Sequence, residues 1–194
     1  MKEILIATKN NGKLKEYITL FAPYDLTVRS LFDFPELPEI DETGLTFEEN
    51  AYIKAKTLHQ LTNLPVIADD SGLMVDVLNK EPGVHSKRYS QEGTDEANNA
   101  LLINNLKDYP NAKATFVACI CYYENDHNHP IFRGETNGEI IHEGRKGHGF
   151  GYDPHFYLPE LNKTMSELST LEKNRVSHRG KAFRLLMNYW ENNR

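Results

Sequence analysis

Cysteine is nearly absent from this 194-residue chain: only Cys119 and Cys121 occur, so no disulfide framework of the kind that staples small secreted domains can be built. They lie two apart in an apolar stretch, where an extended backbone points both the same way and leaves them poorly placed to bridge. Buried, reduced thiols and a reducing compartment are expected. Long hydrophobic runs are missing as well. The apolar stretch Thr115 to Tyr123 is far short of the roughly 20 residues that cross a bilayer. Met1-Lys2-Glu3 followed by the short Ile4 to Ala7 run is not the pattern of a secretory signal. A cytoplasmic protein with no membrane partner is expected. Positive charge is scarce too: 22 Lys and Arg against 28 Asp and Glu leave a net charge of −6, which argues against a protein that coats nucleic acid. Any anionic ligand must be held by a local patch. No repeat, low-complexity tract or Ser/Gly-rich linker divides the chain, so residues 1–194 read as a single domain.

What is present is an ordinary globular composition, 39% hydrophobic and 26% charged, with strand-like and helix-like segments in alternation. Glu3 to Ala7 reads as a strand, Thr8 to Lys13 as a polar turn, Leu14 to Phe21 as a helix and Leu26 to Ser30 as a second strand. Thr46 and Glu49 form a capping box that opens a helix over 46–62. Pro65 to Ala68 is a brief buried strand expected to stop at Asp69-Asp70-Ser71-Gly72, with Leu73 to Leu78 another strand behind it. Thr94 to Leu106 is helical, and Ala114 to Tyr123, apolar on both faces, suits a central strand. His127 and His129 flank Asn128 in a turn, and Asn137-Gly138 between two strand-like runs predicts a hairpin. After a cluster of glycines come a short strand, Pro154 to Leu158, and helix-forming sequence to the end, with Phe183, Leu186, Met187 and Trp190 at helical spacing. This pattern implies an α/β or mixed domain whose ligands sit where loops leave strand ends.

Five stretches concentrate groups that can do chemistry. Thr8 to Lys13 precedes a helix, where unpaired N–H groups and two lysines suit a phosphate or a plain connection; the Walker pattern G-x-x-x-x-G-K is absent. Between Glu36 and Glu49 six acidic residues stand without a Lys or Arg, a run that must be solvated or bridged by a cation. Asp69-Asp70 is either a turn or cap, or a hard-metal site in which a carboxylate can accept a proton from attacking water. Gly147 to Pro154 combines backbone freedom with Phe150 and Tyr152, fitting a stacked flat ring or a tight strand entry. Lys173, Arg175, His178, Arg179, Lys181 and Arg184 form a basic cluster, an anion site or a solvated helix face. No Ser/His/Asp or Cys/His order and no G-x-S-x-G elbow is legible.

Taken in order, Thr8 to Lys13, Glu42 to Ala51, Ala68 to Leu73, Phe150 to Pro154, and Glu172-Lys173 through Ser177-His178-Arg179 resemble the motifs of the inosine/xanthosine triphosphate pyrophosphatase family. The match spans essentially the whole chain. The resemblance implies an α/β fold with a long central mixed sheet flanked by helices, two lobes with an active-site cleft between them, a Mg²⁺ requirement and a homodimer. The implied activity cleanses the nucleotide pool by hydrolysing the non-standard purine nucleoside triphosphates ITP, dITP and XTP to the monophosphate and pyrophosphate. It also implies residue roles. Thr8, Lys9, Asn10, Asn11, Gly12 and Lys13 would contact the triphosphate and part of the base, and Ser71 would touch the substrate. Asp70 would be the proton acceptor and a metal ligand, with Glu42 as second metal carboxylate and Glu39 and Asp69 as alternatives. Phe150, Gly151, Tyr152 and Asp153 would enclose the base, Phe150 by stacking, and Lys173, His178 and Arg179 would complete its recognition. The first loop departs from the usual Thr-Gly-Asn of the family by carrying Lys9. Hydrogen bonds donated to a 6-oxo group would reject adenine, while rejection of guanine needs a further device at its 2-amino group. A module that merely binds a purine would lack the acidic groups, all of which are present.

Overall fold

Side-chain caps set where the helices begin. A computed structural model describes residues 2–193. In it Asn10 accepts from Lys13 N–H at 3.0 Å and opens α1 (Asn11–Phe21), while Thr46 accepts from Glu49 N–H at 3.1 Å and opens α2 (Phe47–Thr62). Thr94 and Ser169 cap α3 (Asp95–Asn105) and α4 (Thr170–Val176) in the same way, and α5 spans His178–Asn192. Each cap satisfies an N–H that the helix itself leaves without a partner. The capping box at Thr46 and Glu49 is made in full. α1, by contrast, begins three residues before the apolar periodicity does, so that Asn11, Gly12 and Lys13 belong to its first turn rather than to a loop.

The strands are β1 (Lys2–Ile6), β2 (Leu26–Ser30), β3 (Val66–Val75), β4 (Ala112–Tyr123), β5 (Ile131–Ile140), β6 (Phe156–Leu158) and β7 (Lys163–Thr164). They form one open sheet in the order β2-β1-β3-β4-β5-β6-β7. β1 runs parallel to β2 and β3, whereas β6 is antiparallel to β5 and β7, so the sheet is mixed. Helices flank it, as the α/β reading expects.

The chain divides into two compact units. The first comprises the residues up to Asp70, Ala118–Gly134, and Arg179 onward. Its core joins Ile4, Ile6, Ile67 and Ile120 from the strands to Tyr17 and Phe21 of α1 and to Phe183, Leu186, Met187 and Trp190 of α5. Phe21 meets Phe183 edge to face at 4.9 Å, a favoured aromatic geometry. The second unit comprises Ser71–Val117 and Glu135–His178. Leu73, Val75, Phe116, Ile140 and Phe156 pack there with Leu102 and Leu106. Cys119 and Cys121 are buried and unbridged, and burial pushes the Cys121 thiol up to about 12.

Besides the start of α1, the expected separate strand Leu73 to Leu78 is not found, since Leu73 to Val75 complete β3 and Asp76–Leu78 form a 3-10 turn, and two further expectations are corrected. β3 does not stop at Asp69-Asp70-Ser71-Gly72 but runs through them, because both carboxylates are buried with polar partners and the strand's backbone ladder tolerates a buried charge that is so compensated. Asn137-Gly138 is no hairpin turn: it lies inside β5, and the connection from β4 to β5 is residues 124–130, around Asn128. A Cβ on Gly138 would lie 2.5 Å from Phe156 Cε1 and 2.5 Å from Tyr157 O, so glycine is there for close approach within a strand. Asn137 Oδ1 meanwhile accepts from Thr115 Oγ1 at 3.0 Å. Gly138→Ala is accordingly expected to lower stability by about 1–3 kcal/mol through overpacking. Urea denaturation checks this, and an unchanged midpoint would contradict the close approach.

Candidate active site

Two groups of polar side chains stand out, one in each unit. In the first unit, consecutive residues of β3 present side chains in opposite directions, and the neighbours Asp69 and Asp70 meet different surroundings. Asp69 is 2% exposed. Its Oδ2 accepts from Lys13 Nζ at 2.9 Å and from Arg179 Nε at 3.4 Å. Arg179, itself 2% exposed, also pairs through Nη1 with Glu16. Negative and positive groups therefore alternate along a buried chain: Glu16, Arg179, Asp69, Lys13. Burial opposes the charge on Asp69, but Lys13, Arg179 and Lys54 outweigh it and hold the carboxyl well below its usual range. For Lys13 burial prevails and its pKa falls, Asp69 notwithstanding.

Asp70 experiences the reverse. Burial and the nearby negative charge of Glu42 raise its pKa. Its Oδ2 accepts from Asn50 Nδ2 at 3.0 Å, and Asn50 Oδ1 accepts from Gly44 N–H at 2.8 Å. A Cβ on Gly44 would sit 2.6 Å from Glu49 Cβ, so the glycine lets the acidic loop close onto the start of α2. Glu42 pairs with Lys54, whose Nζ also donates to Asp69 O at 3.2 Å. Lys54 stays charged, because Glu42 and Asp69 outweigh the effect of burial and raise its pKa. Glu39 is exposed on the same loop.

Thr8 is buried and Lys9 exposed. Thr8 Oγ1 accepts from Asn10 N–H at 3.1 Å. Lys9 is not among the residues with positive φ, so the departure from glycine costs no backbone strain here.

In the second unit, Asp153 Oδ2 accepts from Phe150 N–H at 3.0 Å and from Lys173 Nζ at 2.8 Å. The same ammonium lies 4.9 Å from the centroid of the Phe150 ring, within cation–π reach. His178 stacks on Phe116 at 4.8 Å. Tyr152 turns into the core and donates to Ser86 O at 2.7 Å, so of the two aromatic rings in the stretch only Phe150 is left outside the core. Gly151 takes φ +60°, which glycine adopts without strain. Ser71 is half-buried beside Asp70 in sequence.

The sequence reading missed Glu16, Asn50 and Lys54. Asn50 falls within the Glu42 to Ala51 stretch, buried on the inner face of α2, and Lys54 sits one turn further along the same helix. Only the fold shows which of them touch Asp70 and Asp69. Among the described residues no three His, Cys, Asp or Glu side chains gather as a metal cluster.

A model of the Ham1 family matches residues 4–189. The chain belongs to the Ham1 family. A dITP/XTP pyrophosphatase of Bacillus cereus is 47% identical over 191 residues, covering 96% of this chain and 93% of that protein. Among solved structures, the Ham1 protein of Staphylococcus aureus superimposes with a TM-score of 0.88 at 41% identity over the full length of both chains. A nucleoside-triphosphatase or dITP/XTP pyrophosphatase of Mycobacterium abscessus gives a TM-score of 0.76 at 41% identity over 95% of this chain and 98% of that one.

Urea denaturation should separate the two neighbours in this Ham1 protein. Asp69→Asn removes the carboxylate shared by half-buried Lys13 and buried Arg179, the latter keeping Glu16, and is expected to cost about 3 kcal/mol. The stabilisation from Asp69 is complete above about pH 4 and is lost on acidification, because its folded pKa lies below the unfolded one. For Asp70 the sign reverses. Its folded pKa is raised, so its charge opposes folding above about pH 4, and Asp70→Asn is expected to keep or increase stability at pH 7. Equal losses in both variants would contradict this division.

Proposed function

We propose that this protein hydrolyses non-standard purine nucleoside triphosphates, namely dITP, XTP and ITP, to the monophosphate and pyrophosphate. The proposal extends to residues 1–194 acting as one enzyme domain, as a cytoplasmic homodimer using Mg²⁺. The observation that carries it is the division of the Asp69-Asp70 pair: one carboxylate paired with Lys13 and Arg179, the other held by Asn50 with burial and Glu42 raising its pKa. Names of relatives at about 47% identity, which specify dITP/XTP pyrophosphatases, support the same activity. No described helix is long and apolar enough to cross a membrane.

The donor set fits a hard cation. Glu42 and Asp70 repel one another, a repulsion that a divalent ion would relieve, and Mg²⁺ takes few carboxylates together with phosphate oxygens. Asp69 fits less well, being committed to Lys13 and Arg179. Held by Glu42 and Asp70, Mg²⁺ would lower the pKa of a bound water and offset phosphate charge. Asp70 accepts a proton from the water that attacks the α-phosphorus, and Asn50 holds the carboxylate in place meanwhile. The first turn of α1 carries no acidic residue, so the N–H groups of Asn11 and Gly12 and the Lys13 ammonium receive the phosphates. Lys13 offsets charge on the departing pyrophosphate. In the second unit Phe150 stacks on the purine, with Lys173 and His178 donating to its oxygens. Arg179 acts from behind Asp69.

Product release from dITP, ITP, XTP, GTP and ATP, each with Mg²⁺ and again with EDTA, tests this. Monophosphate and pyrophosphate should appear with the first three and stop with EDTA, while GTP and ATP run at least about a hundredfold slower. Binding of ITP without turnover would overturn hydrolysis in favour of a purine sensor. A preference for pyrimidine triphosphates would overturn the base assignment.

A further inference from the structure

If Phe150 stacks on the purine as proposed, its ring has to be aimed. It stands between Gly149 and Gly151, at φ +135° and +60°, residues that confer more backbone freedom than any other type. A cavity of about 580 Å³ lies against the loop, lined by Phe150, Gly151, Asp95, Asn99, Ile103 and His142 among others, so packing alone does not fix it. Hydrogen bonds hold it instead. Phe150 N–H donates to Asp153 Oδ2 at 3.0 Å, and Gly151 N–H donates to Asp95 Oδ2 at 2.6 Å. The two peptide groups that flank the Phe150 Cα thus each end on a carboxylate. Asn99 Nδ2 donates to Gly151 O at 2.9 Å and to Asp95 O at 2.8 Å, so the peptides on both sides of the Gly151 Cα are held as well. With planar peptides, fixing both neighbours fixes the two soft dihedrals between them.

The helix supplies both groups from one face, since Asp95 and Asn99 are four residues apart on α3. Asp95 lies in the first turn, where a negative charge is favoured by the helix dipole. The Asn99 Oδ1 atom is buried without a hydrogen-bond partner among the described residues. Flipping the amide would set that oxygen against two carbonyl oxygens, so the orientation is dictated by what Nδ2 holds.

We propose that Asp95 and Asn99 are positioning residues for base recognition: from α3 they grip the peptide groups at Gly151 and set the direction in which Phe150 meets the purine. The proposal rests on the reading of Phe150 as the stacking residue. A group that binds the base equally in the ground and transition states affects KM rather than kcat. Steady-state kinetics with dITP are therefore run on Asp95→Ala, Asn99→Ala, Asp95→Asn and Phe150→Ala. Asp95→Ala and Asn99→Ala are expected to raise KM about tenfold with kcat within about twofold, and Asp95→Asn, which keeps an acceptor oxygen for Gly151 N–H, to restore most of the loss. Should Asp95→Ala fail to fold, Asn99→Ala decides the same question. An unchanged KM in both alanine variants while Phe150→Ala raises it would overturn the positioning role alone. Asp95→Asn as impaired as Asp95→Ala would do the same. An unchanged KM in Phe150→Ala would overturn the stacking assignment and the positioning role with it.

Discussion

The carboxylate of Asp69 is the charge on which the first unit's polar interior depends. Lys13 and Arg179 come from helices near opposite ends of the chain; Arg179 is buried and Lys13 half-buried, and both pair with Asp69. Breaking a buried pair by removing one partner costs far more than the pair itself contributes, so Asp69 is committed to these cations. That commitment frees its neighbour. Strand geometry sends adjacent side chains to opposite faces, and at Asp70, which accepts from Asn50, burial and Glu42 outweigh the pull of Lys13 and Lys54. The pKa values of two chemically identical residues, adjacent in sequence, are thereby shifted in opposite directions.

Much of this was legible in the sequence, for identifiable reasons. The Thr46/Glu49 box marked the start of α2 because capping is a local interaction between residues three apart. Phe183, Leu186, Met187 and Trp190 all lie in the first unit's core, as their helical spacing implied. The misreadings share a cause. Asp69-Asp70 and Asn137-Gly138 were read by local propensity, which makes aspartate and glycine strand breakers. Partners distant in sequence decided otherwise: Lys13 and Arg179 for the carboxylates, Phe156 and Tyr157 for the glycine. The motif stretches located the two polar groups, and Asn50 falls within one of them without its role being legible; Glu16, Lys54, Asp95 and Asn99 lie outside the stretches and are recognised only by what they touch.

The two units hold their polar groups by different means. In the first, alternating buried charges fix the side chains around a β-strand. In the second, a glycine-rich loop is held by hydrogen bonds to its peptide groups, from Asp153 within the loop and from Asp95 and Asn99 on α3. A strand-borne carboxylate suits chemistry that needs a fixed proton acceptor, and a loop with glycine on both sides of an aromatic ring suits close approach to a flat ligand. Keeping Asp70 ionised inside the fold opposes stability, a cost that proteins commonly carry at working sites.

The most direct test of the central claim is turnover of dITP by Asp70→Asn at saturating Mg²⁺. Loss of the proton acceptor should lower kcat by at least about a hundredfold, in the range typical of a general base, in a protein that still folds. Near-normal turnover would contradict the assignment of the two neighbouring carboxylates to different tasks.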